Sequence, residues 1–164
     1  MAITSAICNS FKEEILQGGQ ILNASGSTPA GNAIKLALYS SNSATLSKST
    51  TVYAAPSDAT ADPTSTYEVT TTGSGYASGG QALTNIDPTL DTDTAVCDFD
   101  NESWTSASFT ARGCLLYNTT AITGFTTNRS VIVINFGGDK TVTSGTFTIE
   151  FPAVAASTAI IQLA

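Results

Sequence analysis

The stretch 129–152, RSVIVINFGGDKTVTSGTFTIEFP, constrains this chain more than any other. Ile132, Ile134 and Phe136 recur at every second position, as do Phe147, Ile149 and Phe151, while Thr146, Thr148 and Glu150 take the alternate places. A period of two sends successive side chains to opposite faces, which is the pattern of a half-buried β-sheet. Between the two runs Gly137-Gly138-Asp139 supplies residues that tolerate positive φ, and Ser144-Gly145 restarts an extended segment. The sequence therefore predicts a hairpin with its turn at 137–139.

The beginning of the chain follows a different rule. Ile3, Ile7, Phe11 and Ile15 recur every fourth residue, Lys12, Glu13 and Glu14 fill the polar side, and Gly18-Gly19 offers a stop. One short amphipathic helix is expected within an arm spanning 1–22. After the linker NASGSTPAGN, residues 33–39 alternate as a first strand. From 40 to 80 the chain is Ser, Thr, Gly, Ala and Pro with isolated Tyr53, Tyr67 and Tyr76, which predicts long loops. Strands are expected again at 81–86, 95–99, 106–117 and 158–163. Short strands in series with almost no helix between them point to an all-β, mainly antiparallel sandwich or jelly-roll-like plan. The whole of 1–164 is expected to be one domain, with the sandwich at 33–164. Trp104, between Phe99 and Phe109, is expected to anchor the core or a sheet edge.

Composition excludes several function classes. A formal net charge of −7 with six scattered Lys and Arg leaves no basic patch to follow a phosphate backbone, so no nucleic-acid partner is expected. Only 12% of residues are charged and 41% are hydrophobic, so the solvent face is made largely of hydroxyls. No apolar run is long enough to span a bilayer, and MAITSAICNS has neither a basic start nor a long apolar core; no membrane partner and synthesis in the cytoplasm are expected. Three widely spaced cysteines, Cys8, Cys97 and Cys114, fit neither a disulfide framework nor a zinc knuckle and are expected to be buried free thiols.

The chain contains no histidine, which removes the usual general base, the common nucleophile triads and the commonest zinc ligand together. Cys114 follows Arg112-Gly113 but has no base beside it and alternates as a strand residue. Asp87, Asp91, Asp93, Asp98, Asp100 and Glu102 crowd one stretch. Ala95 and Val96 stand where a calcium loop starting at Asp91 needs a ligand and a glycine. A solvated acidic edge is expected, with a weakly held loop cation the alternative and with Asp98 and Asp100 pointing away from the core. Gly137-Gly138-Asp139-Lys140-Thr141 lacks phosphate-loop spacing. No catalytic, cofactor or metal residue is assigned, and no enzyme is expected.

The blocks MAITSAICNSFKEEIL, IKLALYSSNSATLSKSTTVY, EVTTTGSGYASGGQALT, SFTARGCLLYN and VIVINFGGDKTVTSGTFTIEFP, in this order, resemble a family of small virion structural proteins of tailed bacteriophages. The loop AAPSDATADPTST is longer than that family suggests. The resemblance implies a β-rich structural protein of the virion without catalytic residues, with the major capsid protein as partner. Within it a decoration, or cement, role is expected: a small polar protein lying across neighbouring capsid subunits on the capsid surface, possessing further avidity if it is itself an oligomer, with a trimer the symmetric guess. A neck or tail component and a host-surface carbohydrate-binding module are the alternatives, the last needing an exposed Trp104 or tyrosines.

Two devices in the sequence offer a contact. The helix presents Ile3, Ile7, Phe11 and Ile15 either to its own sheet or to a partner groove, and an edge strand offers its backbone to a neighbouring sheet. Tyr39, Tyr53, Tyr67 and Tyr76 are the candidate aromatic anchors.

Overall fold

A computed structural model describes residues 2–40, 44–54 and 67–164 of the chain. It is an all-β fold with one short helix, in the order β1 (Ala6–Ile7), α1 (Asn9–Leu16), β2 (Ile34–Tyr39), β3 (Gln81–Ala82), β4 (Thr89–Asp91), β5 (Thr94–Cys97), β6 (Glu102–Asn118), β7 (Arg129–Ile149) and β8 (Ile161–Leu163). Five strands form one sheet in the order β1-β7-β6-β2-β3, three form a second in the order β4-β5-β8, and all pairings are antiparallel. Cys97, Phe99 and Ile161 of the smaller sheet and its flank share one hydrophobic cluster with Leu36, Leu38, Leu115 and Val133 of the larger. No helix among the described residues is long and apolar enough to cross a membrane.

The large sheet is built on two strands of unusual length. β6 runs for 17 residues and β7 for 21, and they pair from Glu102↔Ile149 to Asn118↔Arg129. At roughly 3.4 Å per residue β6 is a ribbon edge of about 55 Å. This overturns the hairpin expected at 137–139. The reversal lies at 119–128, where Gly124 and Asn128 hold positive φ. Gly137-Gly138 instead belongs to a bulge inside one continuous strand. Between the pairs Ala111↔Lys140 and Gly113↔Asn135 the single residue Arg112 faces four residues, 136–139. Gly137 at φ +75 gives the left-handed residue such a bulge uses. Ser144, at φ 48, marks a second irregularity where Ala107↔Gly145 is followed by Phe109↔Val142. Alternation therefore switches phase along β7: Val142 is half-buried before the bulge, and Gly145, Phe147 and Ile149 after it.

Gly113 sits where β2, β6 and β7 run side by side, and a methyl group there would lie 2.5 Å from the Ile134 carbonyl oxygen and 3.1 Å from Ile3. Close packing of the amino-terminal arm on the sheet thus requires glycine at this position.

The arm is not a four-turn helix. Residues 2–5 belong to no helix, β1 pairs Ala6↔Val133 and Ile7↔Ile132, and α1 begins at Asn9. On the other side the Thr4 and Asn9 amides donate to the Leu46 and Lys48 carbonyls at 2.9 and 2.8 Å. The spacing that suggested one helix holds equally for one strand face, because four is a multiple of two. At eight residues α1 is too short to persist alone, and it is held by Phe11, which is buried in the core. Gly18, at φ +74, ends it at the expected place.

Of the other expected strands, β2 and β5 form within a residue or two of 33–39 and 95–99. The segment 81–86 pairs only at Gln81–Ala82, with a further bridge between Asn85 and Phe99.

Candidate functional site

The residues expected to dock on a partner are mostly committed to the chain's own interior. Ile3 and Phe11 are buried, Ile7 and Ile15 are half-buried against the same core, and the arm is hydrogen-bonded along both edges. In this fold the arm is a structural strap, and of the two readings of the stripe the structure has it packed on the chain's own sheet. Tyr39, Tyr53 and Tyr76 are buried as well, and Tyr67 is half-buried with its carbonyl accepting from Ser40. Residues 55–66, which include most of the long loop AAPSDATADPTST, lie outside the described residues.

Two of the buried tyrosines, Tyr53 and Tyr76, converge on a carboxylate that sequence reasoning missed. Glu68 Oε1 accepts from the Tyr76 hydroxyl at 2.8 Å and the Gly79 amide at 2.6 Å, and Oε2 accepts from the Tyr53 hydroxyl at 2.9 Å and Ser78 Oγ at 3.3 Å. Tyr53 stacks on Tyr117 with centroids 4.3 Å apart, and Tyr117 donates to the Gly79 carbonyl at 2.8 Å. Burial, followed by the charge of Glu68, pushes the Tyr76 phenol far above its ordinary range, so it stays a donor at every physiological pH. With both oxygens already served by donors, this carboxylate is suited to clamping the chain at 67–80 to the sheet, not to passing protons. The sequence signal, a lone glutamate within a tyrosine-bearing Ser/Thr tract, is visible only in retrospect.

A second buried network fastens the arm. Arg129, with no exposed side-chain surface, places Nε 2.9 Å from Glu14 Oε2, off the line of a good hydrogen bond, and so acts there as a charge partner. Its terminal nitrogens donate to the carbonyls of Gly19 at 2.8 Å, Thr126 at 2.8 Å and Thr120 at 3.4 Å, and its guanidinium lies 5.3 Å from the Phe125 ring centre. Gln20 donates to Glu14 at 2.6 Å, and Asn118 donates to Gln20 and to Asn32, both at 2.7 Å.

The acidic stretch is mostly at the surface, with one correction. Asp98 is fully buried, where it accepts from the Phe99 amide at 2.9 Å and the Ile160 amide at 3.3 Å. Burial raises its pKa, and those two amides offset part of the rise. β5 ends at Cys97, so the strand alternation that would have turned Asp98 outward has already stopped. Asp87 serves locally, accepting from Ser27 and the Ala24 amide, which lower its pKa. No group of three metal-ligating side chains occurs among the described residues. Cys8, Cys97 and Cys114 are free and buried, and burial pushes the Cys8 and Cys97 thiols up to about 12.

What remains open is the outer side of β7. β6 is guarded along its far half by the chain at 74–81, where Ser108 donates to the Ser74 carbonyl at 2.9 Å and Gln81 to the Ser103 carbonyl at 3.2 Å. β7 is paired by β1 at Ile132 and Val133 and bridged by Val52 at Arg129, and the Asn135 amide donates to Ser5 Oγ at 2.9 Å, which leaves its edge from Phe136 to Ile149 without a strand partner among the described residues. Beside this edge runs a groove of about 480 Å³ lined by Ile134, Phe136, Phe147, Ile149, Phe151 and Ile160, with Lys140 and Glu150 also on its wall. Phe147 is its hub, with ring centres 5.1 Å from Phe109, 6.1 Å from Trp104 and 6.4 Å from Phe136. Trp104 itself is buried and offers no stacking platform. The alternation of Phe147, Ile149 and Phe151 was legible in the sequence; that its inward face stays half-open was not.

Comparison with known protein families, with characterised proteins and with solved structures found no match to this chain.

Proposed function

We propose that this chain is a non-enzymatic structural protein of a tailed-phage virion, most specifically a decoration protein that bridges and stabilises neighbouring major capsid subunits. The observation that carries the reading is the open edge of β7 with its aromatic groove. An unpaired strand edge presents backbone donors and acceptors in a fixed row, and an extended capsid segment laid along it gains main-chain hydrogen bonds while Phe136 and Phe147 take its apolar side chains. The family resemblance of the sequence supports the virion setting, and a surface built largely of hydroxyls suits broad protein contact. The attachment face assigned here is β7, not the arm. The fully buried Trp104 removes the chief support for a carbohydrate-binding module.

Quantitative mass spectrometry of purified virions, referenced to the major capsid protein, tests the reading. About one copy per capsid subunit, lost when Ile149→Asp and Phe151→Asp are introduced together, is the expected result. A few dozen copies at one vertex would move the protein to the neck or tail, and absence from the particle would overturn the virion assignment.

A further inference from the structure

Two tyrosine rings meet face to face beside the Glu68 clamp. Tyr53 and Tyr117 stack with centroids 4.3 Å apart and planes 12° from parallel, the one stacked tyrosine pair among the described residues. Both backbones are fixed. The Tyr53 amide donates to the Asn128 carbonyl at 2.8 Å, and Tyr117 on β6 pairs with Lys35 on β2 and Ser130 on β7. Both hydroxyls are fixed as well, Tyr53 donating to Glu68 Oε2 at 2.9 Å and Tyr117 to the Gly79 carbonyl at 2.8 Å. A pair held at four points keeps its stacked geometry in the folded chain.

That geometry has a chemical consequence. A neutral phenol gives up an electron readily only when its proton leaves with it, and Tyr53 has a carboxylate acceptor already in place. Burial, followed by the nearby Tyr53 and Glu68, pushes the Tyr117 phenol up, so it too is neutral; its proton leaves along the hydrogen bond to the Gly79 carbonyl and on to water. In the phenoxyl radicals so formed, unpaired spin sits on the oxygen and on the ortho and para carbons, in lobes perpendicular to the ring. Stacking turns the lobes of the two rings towards each other. An ortho carbon of each ring forms the new carbon–carbon bond, each then releases its hydrogen as a proton, and each phenolic oxygen takes one back as the rings regain aromaticity. The sum is two electrons to the oxidant and two protons to solvent. The other tyrosines lack this arrangement: Tyr76 has Trp104 and Phe109 as its ring neighbours, and half-buried Tyr67 has no ring contact among the described residues.

We propose that Tyr53 and Tyr117 form an oxidative modification site, joined through their ortho carbons as an intramolecular dityrosine by a one-electron oxidant of the oxygen-radical class. Glu68 is the positioning residue that takes the Tyr53 proton. The bond ties the segment that bridges Val52 to Arg129 covalently to β6. The three cysteines supply no such link, since all are free and buried. The site is independent of the virion assignment and of the β7 edge.

The test exposes the full-length chain, dilute enough that encounters between chains are rare, to a ruthenium tris-bipyridyl complex with persulfate under visible light. Dityrosine fluorescence follows the yield, and mass spectrometry of the digested protein locates the link. The unaltered chain is expected to give one cross-linked peptide pair, carrying Tyr53 and Tyr117 and lighter by two hydrogens, and to lose it in urea. Tyr53→Phe should abolish the signal. Tyr76→Phe removes a different donor from the same carboxylate but keeps the stacked pair, so it should retain the link and separate loss of the pair from loss of the clamp. Glu68→Gln, checked for its fold by Trp104 emission, should slow the reaction several-fold. A link mapped to other tyrosines in the unaltered chain, equal yield in urea, or a signal that survives Tyr53→Phe would each overturn the site whatever the variants do to the fold. An unchanged rate in folded Glu68→Gln would overturn the role given to Glu68.

Discussion

Removing the Arg129 guanidinium is the most informative single change. In Arg129→Met the apolar stem is kept, but Glu14, whose side chain is only 13% exposed, loses its charge partner, and the carbonyls of Gly19, Thr126 and Thr120 lose their donors. Breaking a buried ion pair by deleting one member costs about 3–5 kcal/mol, chiefly because the survivor stays buried and uncompensated. For a chain of this size each kcal/mol moves Tm by about 2–4 °C, so a fall of about 6–20 °C is expected. Glu14→Gln is milder, because the amide oxygen still accepts from Gln20 and Arg129 keeps its three carbonyls; about 1–3 kcal/mol is expected. The two sites share one network, so the double variant should cost less than the sum of the singles by about 0.5–3 kcal/mol. Urea unfolding followed by the emission of the single tryptophan, Trp104, reads all four proteins, and an unchanged m-value would confirm that the native state alone is affected. A cost below about 1 kcal/mol for Arg129→Met, or strict additivity, would refute the view that this pair holds the arm to β7.

Three further outcomes are expected. Phe11→Ala should destabilise by about 3–5 kcal/mol in calorimetry, as for a buried core aromatic, and not act as a surface change. Gly80→Ala places a methyl group 1.7 Å from the Leu36 carbonyl oxygen at φ +67, so thermal unfolding should show a loss of about 3 kcal/mol or more. The folded chain should resist a thiol reagent at neutral pH and release all three thiols only in denaturant. Because the native state holds Cys8 and Cys97 protonated up to about 12, against about 9 when exposed, their contribution is complete below pH 9 and declines as pH rises from there towards 12. Stability that is flat between pH 8 and 11 would contradict this.

The sequence made the fold class, β2, β5 and the inward face of 147–151 legible because each rests on a local period. It misplaced the reversal between β6 and β7 because turns and bulges draw on the same residues. Gly137-Gly138 satisfies either, and only the partner decides. Here 102–118 forms a strand long enough to pair on both sides of the glycines, so they bend the ribbon and do not close it. The arm failed for a related reason, since a spacing of four suits strand and helix alike and β7 had an edge to offer at Ile132 and Val133. Asp98 was read outward by extending an alternation past the end of β5. The open groove depends on which strand lacks a neighbour, which no local pattern records.

The buried polar chain from Arg129 to the arm also sets a clock for synthesis. The Gly19 carbonyl waits for a donor 110 residues further on, and Gln20 for Asn118, 98 residues away. At translation rates of about 5–20 residues per second the gap is on the order of 5–20 s. During that interval Ile3, Phe11 and the arm's backbone edge have left the ribosome with none of their β7 partners made. The arm is therefore among the last parts of this chain to be locked, and its exposure to proteases and to other nascent chains ends only when residue 129 emerges.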